Sequence, residues 1–386
     1  MNARIFSEIA VRLRIPSVIG ELFAGIILGP SLLGWLEPNE VLKLLAEIGI
    51  ILLLFHVGLE TDVRRLVNSG KKSFIVAIGG FFVPFILGFS LSYWNFGLPL
   101  LVSLFIGGTL TATSIGITIR VLSDINRRNE TEGQIVLGAA VLDDIFGVIL
   151  LALLYEFSTG GGVSFFNASK VFIFVCAFFI LAPLAAKLIA LMISRYDRVS
   201  ETPGLIPTTI VSLVLFFAWL AHEFGAPELL GGFAAGLALS RRFFLPFGVA
   251  LRKNDGFADR IDNQMRPIVQ LFTPIFFVMV GLSLNLHQID WASPFIWQFS
   301  ILFFIIAILG KFSGAIFINE SWKMRLIIGL SMAPRGEVGL IFAELGRVSG
   351  IFNNEIYAAM IIVITLTTIL PPLIIKWLYS RPAYNP

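Results

Sequence analysis

Apolar residues run in blocks of about 20 along most of this chain, and each block is close to the length that carries a helix across a bilayer. Clusters of Gly, Pro and charge separate them. The pattern predicts spans at 17–36, 44–60, 72–93, 98–123, 133–157, 168–190, 205–223, 228–240, 267–286, 294–319, 321–348 and 354–380. The segment 1–14 reads as a shortened further helix, for thirteen passes in all. No ten-residue alternating segments of the kind that build a transmembrane barrel appear. The expected fold class is therefore an all-α polytopic membrane protein.

Charge placement tests this count. With strict alternation of spans, one side receives most of the Lys and Arg, including Arg64, Arg65, Lys71, Lys72, Arg127, Arg128, Arg241, Arg242, Lys323 and Lys376. The other side receives Lys43, Lys170 and Arg347. The positive-inside rule then puts the C-terminus in the cytoplasm and the chain in the cell's inner membrane. The basic stretch 241–266 becomes a cytoplasmic linker, so no nucleic-acid partner is expected.

Composition agrees, at 57% hydrophobic and 14% charged residues. A soluble domain carries roughly 25% charged residues. One cysteine, Cys176, and three scattered histidines leave no disulfide framework and no metal-ligand cluster. No phosphate-binding glycine loop and no cofactor motif is present.

The chain also repeats itself. "IPSVIGELFAG" (15–25) resembles "APELLGGFAAG" (226–236), and "VGL" at 57–59 returns at 280–282. Gly116 aligns with Gly339, and "LDD" at 142–144 falls opposite "LTT" at 366–368. In the proposed topology these partners lie seven spans apart, an odd number, so the two halves face opposite ways. Inverted repeats of this kind mark secondary transporters, whose sites lie at mid-membrane where the halves meet.

A few residues are ones a bilayer tolerates poorly. Asp143 and Asp144 lie roughly 17 Å into their helix at about 1.5 Å per residue. Lys311, Arg335, Glu337 and Glu344 are also within spans, with Glu21 and Glu47 nearer the ends. Each such charge costs at least ~2.5–3.5 kcal/mol, and normally faces a polar cavity or an opposite charge. Adjacent helical residues point about 100° apart. One aspartate can therefore pair with Lys311 while the other faces a cavity and binds a cation or proton. Alternatively, the pairs serve only helix packing. Two carboxylates on neighbouring positions point apart, so an intramembrane aspartyl protease is not expected, and the chain reads as no enzyme.

Two spans look broken at mid-depth. "GGTLTATSIGIT" (107–118) crowds small polar residues into a helix centre, and "SMAPRGEVG" (331–339) puts Pro334 and Gly336 at the matching place. Pro removes a backbone donor and Gly weakens a helix. Unwound backbone at that depth is tolerated only in protein or beside a cavity. Thr111, Thr113 and Ser114 offer neutral oxygens there, while Arg335 and Glu337 can neutralise each other and the helix ends.

At "LLFHVGLE", "TATSIGITIRVL", "LGAAVLDDIFGVILLA", "PIFFVMVGL", "AILGKFSG" and "MAPRGEVGLI", the sequence resembles the monovalent cation:proton antiporters. The similarity is to the branch with NapA-type Na+/H+ exchangers and Kef potassium-efflux transporters. It implies two inverted six-helix repeats joined by a linking helix, 168–190. It further implies a core transport domain (72–157 and 294–380) with two crossing broken helices. A gate and dimerisation region (1–60 and 205–286) would complete a homodimer in membrane lipid. By motif, Asp144 resembles the ion-binding carboxylate and Asp143 the neighbour paired with Lys311. Thr113 and Ser114 resemble one crossing segment, Arg335 and Glu337 the other, and Asp144 with Thr113 would hold the cation. The resemblance implies exchange of Na+ or Li+ for protons by alternating access, with no cofactor beyond the transported ions. K+/H+ exchange of the Kef type is the alternative. Kef chains carry Gln–Asp at the pair and a soluble nucleotide-binding domain, neither of which is expected here.

Overall fold

The computed structural model describes residues 2–13, 15–60, 63–114, 130–159, 204–223, 228–240 and 255–379, with a few isolated positions elsewhere. Its helices are α1 (Asn2–Arg12), α2 (Ser17–Leu28), α3 (Glu40–Glu60), α4 (Val63–Ser90), α5 (Leu100–Thr109), α6 (Thr131–Thr159) and α7 (Leu205–Glu223). There follow α8 (Glu228–Leu239), α9 (Asp255–Ser283), α10 (Pro294–Ile316), α11 (Trp322–Ser331), α12 (Gly336–Val348) and α13 (Asn354–Tyr379). No strand occurs among the described residues. Seven helices there are long and apolar enough to cross a membrane, and α2, α5 and α8 are shorter apolar helices. The linking helix 168–190, the stretch 241–254, most of 115–129 and the side chain of Glu337 lie outside the described residues.

The helices pack in two sets. In one, α3 lies against α8 and α9, α2 against α1 and α9, and α7 against α8. In the other, α4 lies against α10, α6 and α5, and α13 against α10, α11 and α12. Among the described residues every extensive helix pairing falls within one set, while one buried apolar cluster runs through both. Each set draws one part from the first half of the chain and one from the second.

Glycines carry the closest crossings, because only a residue without Cβ lets two helix backbones touch. A Cβ on Gly25 would meet Gly281 Cα at 2.9 Å, where α2 crosses α9. A Cβ on Gly58 would meet Leu237 N at 2.9 Å, where α3 crosses α8 beside Gly236. By the repeat spacing, Gly25 corresponds to Gly236 and Gly58 to Gly281. Positions matched by the repeat thus make the same close crossing in both halves.

Some boundaries differ from the sequence expectation. The span placed at 17–36 ends its helix at Leu28, with Gly29 extended (ψ −169°). Pro30 explains the stop, since the residue before a proline is pushed out of the helical region. Helix α9 begins at Asp255, twelve residues before the expected 267. Its first turns are polar, and hydropathy senses depth in the membrane rather than helicity. The segment 1–14 forms α1, eleven residues long.

Candidate functional site

The two broken spans meet. The chain leaves α5 at Thr109 and unwinds through Ser114, and it unwinds again between Ser331 and Gly336. Ser114 N–H donates to Pro334 O at 2.8 Å, bonding one break directly to the other. Thr113 Oγ1 lies 3.0 Å from Met332 O, and Thr118 Oγ1 donates to Ser331 O at 2.7 Å. The last carbonyls of a helix have no partner within it. Here carbonyls at and after the end of α11 accept from the opposite half, Ser331 from the Thr118 hydroxyl and Pro334 from the Ser114 backbone amide, which makes unwound backbone tolerable at this depth.

Arg335 performs the reverse service. Its guanidinium donates to Ala112 O and Ala307 O, both at 3.0 Å, and reaches Thr111 O at 3.5 Å. The side chain is fully buried. A cation placed on the carbonyls just past α5 offsets the negative end of that helix. Gly336, the first residue of α12, has φ +37°, and a Cβ there would meet Ser114 at 2.7 Å. The tight passage of the two segments requires glycine at that point.

Helix α6 crosses beside this junction and brings both aspartates to it. Lys311 on α10 forms an ion pair with Asp143 Oδ2, and both side chains are entirely out of solvent. Thr113 Oγ1 donates to the same oxygen at 2.6 Å. Asp143 Oδ1 has no hydrogen-bond partner among the described residues. Asp144 is next along, 6% exposed against 1% for Asp143. Of the expected site residues, Asp143, Lys311, Thr113, Ser114 and Arg335 therefore meet in one connected cluster, with Asp144 beside it. Thr113, expected with Asp144 as a cation ligand, has its hydroxyl on Asp143 in this structure. Thr111 turns back onto its own helix, donating to Gly108 O at 2.7 Å.

Two further polar clusters lie elsewhere. Glu344 receives both Arg347 Nη2 (2.6 Å) and Nε (2.9 Å), and Tyr357 Oη donates to it at 2.8 Å. Tyr357 Oη is also 3.3 Å from Val280 O, a polar contact between α13 and α9, which belong to different sets. The spacing of Glu344 and Arg347 puts them on one helix face, a signal available in the sequence. Glu21, expected near a span end, is 4% exposed and accepts from Ser7 Oγ at 2.9 Å. Nothing in the sequence pairs residues 7 and 21.

Residues 3–381 match the family described as sodium/hydrogen exchanger, transmembrane. The high-affinity Na(+)/H(+) antiporter NhaS3 of Synechocystis sp. (strain ATCC 27184 / PCC 6803 / Kazusa) is 32% identical, covering 96% of this chain and 86% of the relative. The Na(+)/H(+)-K(+) antiporter GerN of Bacillus cereus is 32% identical, covering 98% of this chain and 94% of its own. The solved structure of the sodium proton antiporter MjNhaP1 from Methanocaldococcus jannaschii superposes with a TM-score of 0.73 at 19% identity. That match covers 98% of this chain and 94% of the other, and it shows a shared fold.

Proposed function

The chain belongs to the sodium/hydrogen exchanger family of transmembrane proteins, and from that premise we propose that it exchanges Na+ for protons, with Asp144 carrying the two in turn. As a family member it is a multi-pass membrane transporter rather than an enzyme, and the ions are its cargo. One observation carries the reading. Of two adjacent buried carboxylates at the crossing of two broken helices, Asp143 is taken up by Lys311 and Thr113. Asp144 points about 100° away from it, is the more exposed of the two at 6% against 1%, and is the one given the work of carrying ions.

That work follows from charge balance. An ionised carboxylate deep in the bilayer is costly, and either a bound proton or a bound Na+ removes that cost. The two ligands exclude each other on one carboxylate, so movement of one is tied to return of the other. Thr113 can still help hold the cation, since a hydroxyl that donates its proton to Asp143 keeps an oxygen lone pair for a hard ion. The Asp143–Lys311 pair keeps a second charge from needing a ligand.

In this reading, the set containing α4, α5, α6 and α10 to α13 is the moving core. The set containing α1, α2, α3, α7, α8 and α9 is the gate and dimerisation part of a homodimer, and Glu337 completes the second crossing segment. The grouping of the closest helix contacts within each set supports relative movement, with a shared buried apolar cluster and the contact of Tyr357 with Val280 at the boundary between them. The basic loops support a cytoplasmic C-terminus for this inner-membrane protein.

K+ as a second cargo is the alternative, favoured by the printed name of the Bacillus cereus relative. Purified protein in proteoliposomes tests both readings. With Na+, Li+ or K+ gradients imposed in turn, proton flux should oppose the cation gradient and reverse when that gradient is reversed. Cation flux with no proton counterflow would contradict exchange. Coupling to K+ alone would favour the alternative.

A further inference from the structure

We infer that Gly147 keeps open the space through which the cation reaches the aspartate pair, and so sets which cations are accepted; this rests on the exchange reading above. At about 100° per residue, Gly147 projects from α6 between the directions of Asp143 and Asp144, one turn nearer the helix C-terminus. The rest of that face is buried: Ala140 is 0% exposed, Leu151 3% and Leu154 1%. Gly147 is itself buried. The face therefore looks into protein, not lipid.

A buried helical glycine ordinarily marks a neighbour pressed close. A Cβ on Gly79 would meet Gly314 Cα at 2.6 Å, one on Gly310 would meet Pro84 Cβ at 2.6 Å, and one on Gly108 would meet Leu154 Cδ1 at 2.8 Å. Gly147 is the opposite case, for a Cβ there meets nothing within 4 Å among the described residues. The other glycines with such room, Gly34, Gly70, Gly97, Gly204 and Gly350, are exposed and have positive φ. Packing among the described residues therefore gives no reason for glycine at 147, and glycine weakens a helix interior relative to alanine. The position opens onto interior space instead.

The limits of that space are set along the helix. One turn toward the N-terminus lie the carboxylates, with Asp143 Oδ1 lacking a hydrogen-bond partner among the described residues. Two turns the other way, Leu154 closes against Gly108, next to the ring of Phe342. Acidic oxygens at one end make it a place where water and a cation are held rather than a dry cavity. A methyl group takes roughly the room of one water, whose share of the liquid is about 30 Å³. Alanine at 147 would strip one water from an arriving ion. Na+ holds its water more tightly than K+, so Na+ suffers more.

The variants Gly147→Ala and Gly147→Val test this in proteoliposomes, alongside Gly147→Cys in a Cys176→Ala background, which removes the chain's single cysteine. Because no neighbour is struck, Gly147→Ala should fold like the parent. Its KM for Na+ should rise about tenfold, the low end of what one methyl group does in a fitted pocket, and its KM for K+ should rise less. Gly147→Val should fold and carry no cation. The cysteine should react with a small water-soluble methanethiosulfonate, and Na+ should slow the reaction. Unchanged KM in both Gly147→Ala and Gly147→Val would overturn the inference, as would an unreactive cysteine in a protein that still exchanges Na+. Failure of Gly147→Ala to fold would also overturn it, because a neighbour must then stand where open space is claimed. The exchange reading stands or falls separately, on whether Asp144→Asn still couples Na+ to protons.

Discussion

The backbone amide of Gly336 donates to Thr368 Oγ1 at 3.0 Å. Gly336 occupies the repeat position of Thr113, and Thr368 that of Asp144, the neighbour of Asp143, so the crossing segment bonds the long helix in both halves at positions one residue apart. In the first half it is Thr113 on the carboxylate of Asp143. In the second it is a neutral hydroxyl receiving the first amide of α12. In the exchange reading proposed above, the neutral half positions a helix end and the acidic half deals with ions.

Replacing Thr368 by Val removes the acceptor and keeps the shape. A buried donor left unsatisfied costs about 1–3 kcal/mol, so thermal unfolding in detergent should show a loss of that size. Thr368→Ser should restore it. A Thr368→Val protein as stable as the parent would mean that the amide finds another partner and that Thr368 has no positioning role.

Lys311→Met should be more harmful than loss of an ordinary surface charge. It leaves Asp143 buried without its cation, a change worth about 3–5 kcal/mol. Adding Asp143→Asn to Lys311→Met should recover part of that loss, because no isolated charge then remains. A double-mutant cycle by thermal unfolding measures this coupling, and strictly additive effects would contradict the ion pair.

The paired glycine crossings predict equal penalties in the two halves. Gly25→Ala and Gly236→Ala each force a methyl group against backbone of the facing helix. Overpacking of this kind costs about 1–3 kcal/mol. The amount of monodisperse protein and its unfolding temperature should fall alike for both. A harmless change at one of them would break the correspondence between halves.

Much of the site was legible because membrane burial makes charge conspicuous. Asp143, Lys311 and Arg335 stand out in apolar runs, and Pro334 with Gly336 announces a break. What escaped was whatever depends on partners far apart in sequence. The Ser7–Glu21 contact needs α1 folded onto α2, and α1 is too short to read as a span. Thr113 reads as a cation ligand alongside Asp144, and nothing in the sequence says that its hydroxyl lies on Asp143. Adjacent positions on α6 differ only in direction, and spacing alone does not say which crossing segment lies nearer. The early start of α9 was hidden for a different reason, since its first turns are helical but polar. Glu344 and Arg347 are recoverable by their spacing of three, but charge placement alone treats Arg347 as a loop charge.

The most direct test of the exchange account is proton flux through proteoliposomes carrying Asp144→Asn, driven by a Na+ gradient. Asparagine keeps the side chain's size and removes the charge that proton and cation must share. The account predicts a protein that folds and inserts like the parent while Na+-driven proton movement is abolished. Proton flux at the parent's rate in that variant would contradict it and move the cargo site away from Asp144.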